Sequence, residues 1–206
     1  MTRVKICGIT SPEDAAAAVE AGADAVGLVF VPGTPRVVTL ARAAAIVGCL
    51  PPLVATVGVF VDSPLEEVCR IAALLRLSAV QLHGHEDEGF SRGVPVPVIR
   101  ALRVRDAASL QPLATYPAHA FLLDAYVEGQ PGGTGRTMPW GLVRQAKGTR
   151  PIILAGGLRP DTVAEAVRLV RPYGVDVSSG VEQPPGRKDH RKVREFIVNV
   201  RQADLG

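Results

Sequence analysis

Cysteine is scarce in this chain: three residues in 206, at Cys7, Cys49 and Cys69. An odd count without C-x-x-C spacing argues against a disulfide framework and against a zinc site. Aromatic residues make up 4%, so the core is aliphatic and a nucleic acid would find few rings to stack on. Lys and Arg exceed Asp and Glu by only +3, with no basic run. Nucleic acid is therefore not an expected partner. No apolar stretch approaches the roughly 20 residues of a membrane helix. Arg3 and Lys5 interrupt the amino terminus, and no apolar stretch follows as in a signal peptide. The expectation is a cytoplasmic protein without membrane contact. What is present points the same way: 47% hydrophobic against 21% charged excludes disorder. The length suits one domain, residues 1–206, with a core that needs no covalent staple.

The organisation is rhythmic. Short β-rich runs are expected at 3–7, 24–30, 54–61, 79–83, 96–102, 119–123, 151–155 and 174–178. Helical segments alternate with them. Ser11-Pro12 opens an Ala-rich helix that should stop near Gly22. Others are expected at 39–49, after 83, at 106–115 with Pro112 interrupting, and at 140–147, 160–170 and 188–200. Ser63-Pro64-Leu65-Glu66 reads as a capping box for the helix that follows. Eight β–α units predict a parallel sheet with helices outside, and their number predicts an α/β (β/α)8 TIM barrel. An open doubly wound sheet would bring a glycine fingerprint after the first strand. Cys7-Gly8-Ile9-Thr10 is not one.

A barrel of this kind places its active site at the carboxyl ends of the strands, so the run-ending residues carry the interest. Cys7 is either a nucleophile or general base, if its surroundings favour the thiolate, or a buried small hydrophobe. Cys49 and Cys69 fall in helices and read as packing residues. Asp124 emerges from Phe121-Leu122-Leu123 at the mouth and suits general-acid work; a loop anchor is the alternative. Asp62 reads as a turn residue. Gly156-Gly157 and Ser178-Ser179-Gly180 follow the last two strands, where barrels hold phosphate on backbone N–H groups. A phosphorylated small molecule is the implied partner. His83, with His85 two residues on, suggests a hydrogen-bonding role at the mouth or a buried satisfied histidine more than a metal pair, since no Asp, Glu or Cys partner lies at a familiar spacing. Arg36 could read a carboxylate or phosphate with its fork, or be solvated. Gly132-Gly133-Thr134-Gly135 lacks the G-K-[ST] ending of a phosphate loop and reads as a flexible segment over the mouth.

These residues resemble, over nearly the whole chain, the phosphoribosylanthranilate isomerase family of tryptophan biosynthesis. The matching segments are Val4 to Thr10, Gly22 to Ala25 with Pro35-Arg36, Val57 to Val61, Gln81 to Gly84, Leu122 to Asp124, Gly132 to Gly135, Leu154 to Leu158, Val175 to Glu182 and Pro185 to Asp189. The resemblance implies an Amadori rearrangement of N-(5-phosphoribosyl)anthranilate without metal or organic cofactor. It implies Cys7 as general base, Asp124 as general acid, Arg36 on the anthranilate carboxylate, and Gly156, Gly157, Ser179 and Gly180 around the phosphate. His83 and Asp176 match residues of the mouth. A monomer and a homodimer are both compatible with the sequence. One departure is Met138-Pro139-Trp140, where the family commonly reads Phe-Asp-Trp.

Overall fold

Eight parallel strands close on themselves in chain order. They are β1 (Arg3–Cys7), β2 (Ala25–Val29), β3 (Ala55–Phe60), β4 (Ala79–Leu82), β5 (Val98–Val104), β6 (Ala120–Ala125), β7 (Ile152–Ala155) and β8 (Gly174–Val177). β8 returns to pair with β1, so β7 and β8 stand between β6 and β1 on one arc of the ring. The molecule is a computed structural model that describes residues 1–125, 143 and 150–206. The expected segment 129–135, the helix at 140–147 and Met138-Pro139-Trp140 lie outside the described residues.

Helices among the described residues are α1 (Pro12–Glu20), α2 (Leu40–Gly48), α3 (Leu65–Leu74), α4 (Glu88–Gly93), α5 (Pro112–Thr115), α6 (Pro160–Val170) and α7 (His190–Leu205). Alternation along each strand sorts its side chains into two sets. One set, with Val4, Ile6, Val26, Leu28, Phe60, Leu82, Phe121, Leu123 and Leu154, forms the apolar layer between sheet and helices. The other faces the barrel interior, where it forms two small apolar clusters. Ala101, Ala120, Leu122, Ile153 and Ala155 make one; Cys7, Val29 and Val59 make the other.

Several boundaries differ from expectation for identifiable reasons. The fifth strand runs Val98–Val104 rather than 96–102, because Pro95 and Pro97 have no N–H for the ladder. The expected capping box at Ser63 and Glu66 does not form: α3 starts one residue later, with Pro64 at the cap and no side-chain bond. Asp62 does take the turn, at φ 49°. Cys49 is exposed just beyond α2 rather than packed within it. The last helix starts at His190, because Asp189 caps it and Lys188 is drawn inward. It continues to Leu205, since the buried stripe Val193, Phe196, Ile197, Val200 and Ala203 keeps helical spacing past residue 200. Pro112 does divide the 106–115 segment, into a 3-10 turn and the single turn of α5.

Candidate active site

A cavity of about 620 Å³ opens at the carboxyl ends of the strands. Its lining includes all nine residues singled out from the sequence: Cys7, Arg36, His83, Asp124, Gly156, Gly157, Asp176, Ser179 and Gly180. Strand register explains the convergence. Cys7 closes β1, and Asp124 lies within β6, opposite Arg103 of β5 and Ala155 of β7. The cavity therefore has a thiol on one flank and a carboxylate on the other, with the loops after β7 and β8 between them.

Those loops are built from backbone. Gly156 and Gly157 hold φ of 80° and 69°, a region side chains disfavour. Gly180 packs so tightly on the Leu158 carbonyl that a Cβ there would overlap it. The two loops are thus locked together, and their backbone lines the cavity between Cys7 and Asp124. The Ser178 hydroxyl, on the same wall, is buried and has no hydrogen-bond partner among the described residues.

The Asp124 carboxylate is partly exposed, and His83 Nε2 stands 3.5 Å from its Oδ2. That exceeds a normal hydrogen bond, and the buried Nε2 has no other partner among the described residues. His83 is set by the loop after β4, which buried Glu86 organises. Glu86 accepts from Asp62 N and Gly84 N at 2.9 Å and from Arg100 Nη1 at 2.6 Å. His85 turns outward to Asp62 and is almost fully exposed, so the two histidines do not converge. No group of three potential ligands forms a metal site among the described residues.

Arg36 reads a carboxylate, but one supplied by the protein: Nε and Nη2 donate to Glu182 at 2.9 and 2.7 Å. Glu182 also accepts from the fully buried Lys188 Nζ at 2.7 Å, and Lys188 donates to the Ser178 carbonyl at 3.2 Å. Burial pushes the Glu182 carboxyl up, but the bonds and charges of Arg36 and Lys188 outweigh it and hold the group below the ordinary carboxylate range. Gly8, at φ 72°, gives Arg36 its course: a Cβ there would lie 2.6 Å from Arg36 Cδ. Glu182→Gln is expected to raise KM about tenfold with little change in kcat, because it loosens Arg36 rather than the reacting centre. A depressed folded-state carboxyl stabilises above its unfolded value, and that contribution is lost as pH falls through the folded one. The stability gap between parent and variant should therefore be largest above about pH 5 and shrink toward acid, measured by urea unfolding across pH.

Beneath the cavity lies a feature the sequence reading did not assign. Lys5 is 4% exposed and donates to Asp176 Oδ1 at 2.8 Å and Gln81 Oε1 at 3.1 Å. Asp176 thus faces a lysine of its own chain. A signal was available: Lys5 and Cys7 are two apart on one strand, so a functional Cys7 places Lys5 on the same inner face. Glu182 and Lys188 gave no comparable signal, because they lie in an irregular loop whose facing direction no periodicity encodes.

Known proteins share this sequence pattern and this fold. The sequence profile of the N-(5'phosphoribosyl)anthranilate (PRA) isomerase family matches residues 4–199. An N-(5'-phosphoribosyl)anthranilate isomerase of Geobacter sulfurreducens is 55% identical over 197 residues, covering 96% of this chain and 97% of its own. The crystal structure of phosphoribosyl anthranilate isomerase from Thermotoga maritima superposes with a TM-score of 0.92 at 42% identity, covering 98% of this chain and all of its own. A structure of such an isomerase with reduced 1-(o-carboxyphenylamino)-1-deoxyribulose 5-phosphate superposes at 0.88, with 40% identity and the same coverage. Monomers generated from the dimeric T. maritima enzyme superpose at 0.87, with 40% identity and the same coverage.

Proposed function

The chain belongs to the phosphoribosylanthranilate isomerase family, and from this premise we propose that Cys7 and Asp124 are the base and the acid of its reaction. The reaction is the isomerase step of tryptophan biosynthesis: N-(5-phosphoribosyl)anthranilate becomes 1-(2-carboxyphenylamino)-1-deoxyribulose 5-phosphate. The furanose ring must open, and the proton on C2′ must leave. Asp124 gives a proton to the ring oxygen as the C1′–O bond breaks, and the amino nitrogen takes up the positive charge as an iminium. Cys7, as thiolate, removes the C2′ proton. The electron pair moves into C1′–C2′ and neutralises the nitrogen. The resulting enolamine becomes the ketone as C1′ gains a proton and the 2′-hydroxyl loses one.

The single observation that carries this reading is the order of groups around one cavity. Cys7 of β1 and Asp124 of β6 flank the two strands whose loops present Gly156, Gly157, Ser179 and Gly180. Phosphate held at those loops leaves the ribose between thiol and carboxylate. Arg36 takes the anthranilate carboxylate with Nη1, which none of its bonds to Glu182 uses. His83 steers Asp124, and binding the two unreactive ends supplies orientation. Residues 1–206 act as one barrel domain in the cytoplasm, as a monomer or homodimer. Among the described residues no helix is long and apolar enough to cross a membrane.

The test is turnover. Purified protein is given N-(5-phosphoribosyl)anthranilate, generated in place because it is unstable, and loss of the anthranilate fluorescence is followed. Enzyme-dependent loss is the expected result. A folded protein that binds phosphate and leaves the fluorescence unchanged would overturn the assignment.

A further inference from the structure

Resting on the reading of Cys7 as base, we propose that Lys5 is the positioning residue that favours the thiolate of Cys7 against its burial, and that Asp176 moderates it. An ammonium has three protons to donate. Lys5 commits one to Asp176 and one to Gln81, leaving the third for the space it shares with Cys7. Both side chains lie against Gly27 of β2. A Cβ built there would stand 2.8 Å from Cys7 Sγ and 3.1 Å from Lys5 Nζ. The bare glycine is what lets sulfur and ammonium occupy one pocket.

The surroundings give this pairing its consequence. Burial pushes the Cys7 thiol up and the charge of Lys5 is the chief opposition; Asp176 adds to the rise, Lys188 works against it, and on balance the thiol stays above its ordinary value. Lys5 holds its own proton firmly: burial works against its charge, but Asp176 and Cys7 outweigh burial and raise it above the ordinary lysine value. Cys7 therefore faces Lys5 from its own strand, Asp176 from β8, Lys188 from the loop after β8, and an uncharged glycine on β2. His83 and Asp124 line the same cavity. A buried thiol without a fixed cation would stay protonated and could not serve as a base. Asp176 and Gln81 aim the cation, because a lysine stem is otherwise free to turn.

The two charges next to Cys7 predict opposite signs. The experiment alkylates the whole protein with iodoacetamide across a pH series and follows the Cys7 peptide by mass spectrometry. Exposed Cys49 then does not contribute. Lys5→Met should raise the midpoint of Cys7 alkylation by about one pH unit or more, a tenfold loss of thiolate below the midpoint. Asp176→Asn should lower it. The acid limb of the kcat/KM profile should move with each midpoint. Lys5→Met strands a buried carboxylate; if it does not fold, Lys5→Met with Asp176→Asn replaces both charges, and its midpoint should still rise. Midpoints that do not move, or that move in the same direction in the two single variants, overturn the proposal. Because alkylation needs no substrate, it separates this proposal from the reading beneath it. A coupled midpoint together with full turnover by Cys7→Ser would keep the pairing and remove Cys7 as base.

Discussion

Cys7→Ser is expected to lower kcat by about 10²-fold or more, the usual range for loss of a positioned base. Serine is nearly the same size, so the buried site at the end of β1 keeps its packing and the protein its stability. What changes is the proton affinity: a hydroxyl beside Lys5 does not ionise in the range where a thiol does. KM should stay within about threefold, because substrate is gripped at its two unreactive ends. The variant should also make C2′ proton removal the slow step, so substrate deuterated at C2′ should show a full primary isotope effect. Parent-like turnover would remove Cys7 from the chemistry.

Asp124→Asn should cost a similar factor, about 10²-fold or more in kcat, for a different reason. The amide keeps the shape and the approach of His83 but has no acidic proton for the ring oxygen. Ring opening then becomes slow, and the isotope effect from C2′ deuteration should vanish rather than grow. Slow variants at Cys7 and Asp124 with identical isotope effects would contradict the division of labour. Asp124 faces His83 at 3.5 Å, with no closer partner for the imidazole edge among the described residues.

The barrel was legible because eight short β-rich runs, most of them buried on both faces in the fold, alternate with eight segments of helical character, and both are local properties of the chain. Cap chemistry was legible at Ser11, whose hydroxyl accepts from Asp14 N; Thr39, expected as the start of a helix, caps it by accepting from Arg42 N. It misled at Ser63, where Asp62 takes the left-handed turn and moves the helix start by one residue. Most of the cavity-lining residues were legible as strand ends, since the fold puts every strand's carboxyl end at one mouth; Arg36 was read in the loop after β2, and Asp176, inside β8, came only from the family resemblance. The charges that set their behaviour were harder to see. The pairing of Glu182 with Arg36 spans 146 residues, and that of Lys5 with Asp176 spans 171. No local pattern encodes such contacts. Only closure of β8 onto β1 brings Lys5 and Asp176 into register.

The central claim is that one cavity grips the phosphate and the anthranilate while Cys7 and Asp124 do the proton chemistry. The measurement that tests it most directly takes parent, Cys7→Ser and Asp124→Asn through two assays side by side. One is turnover of N-(5-phosphoribosyl)anthranilate; the other is calorimetric binding of reduced 1-(o-carboxyphenylamino)-1-deoxyribulose 5-phosphate. The account predicts that all three bind this product analogue alike and that only the parent turns over rapidly. A variant that turns over like the parent, or one whose binding falls in step with its turnover, would contradict it.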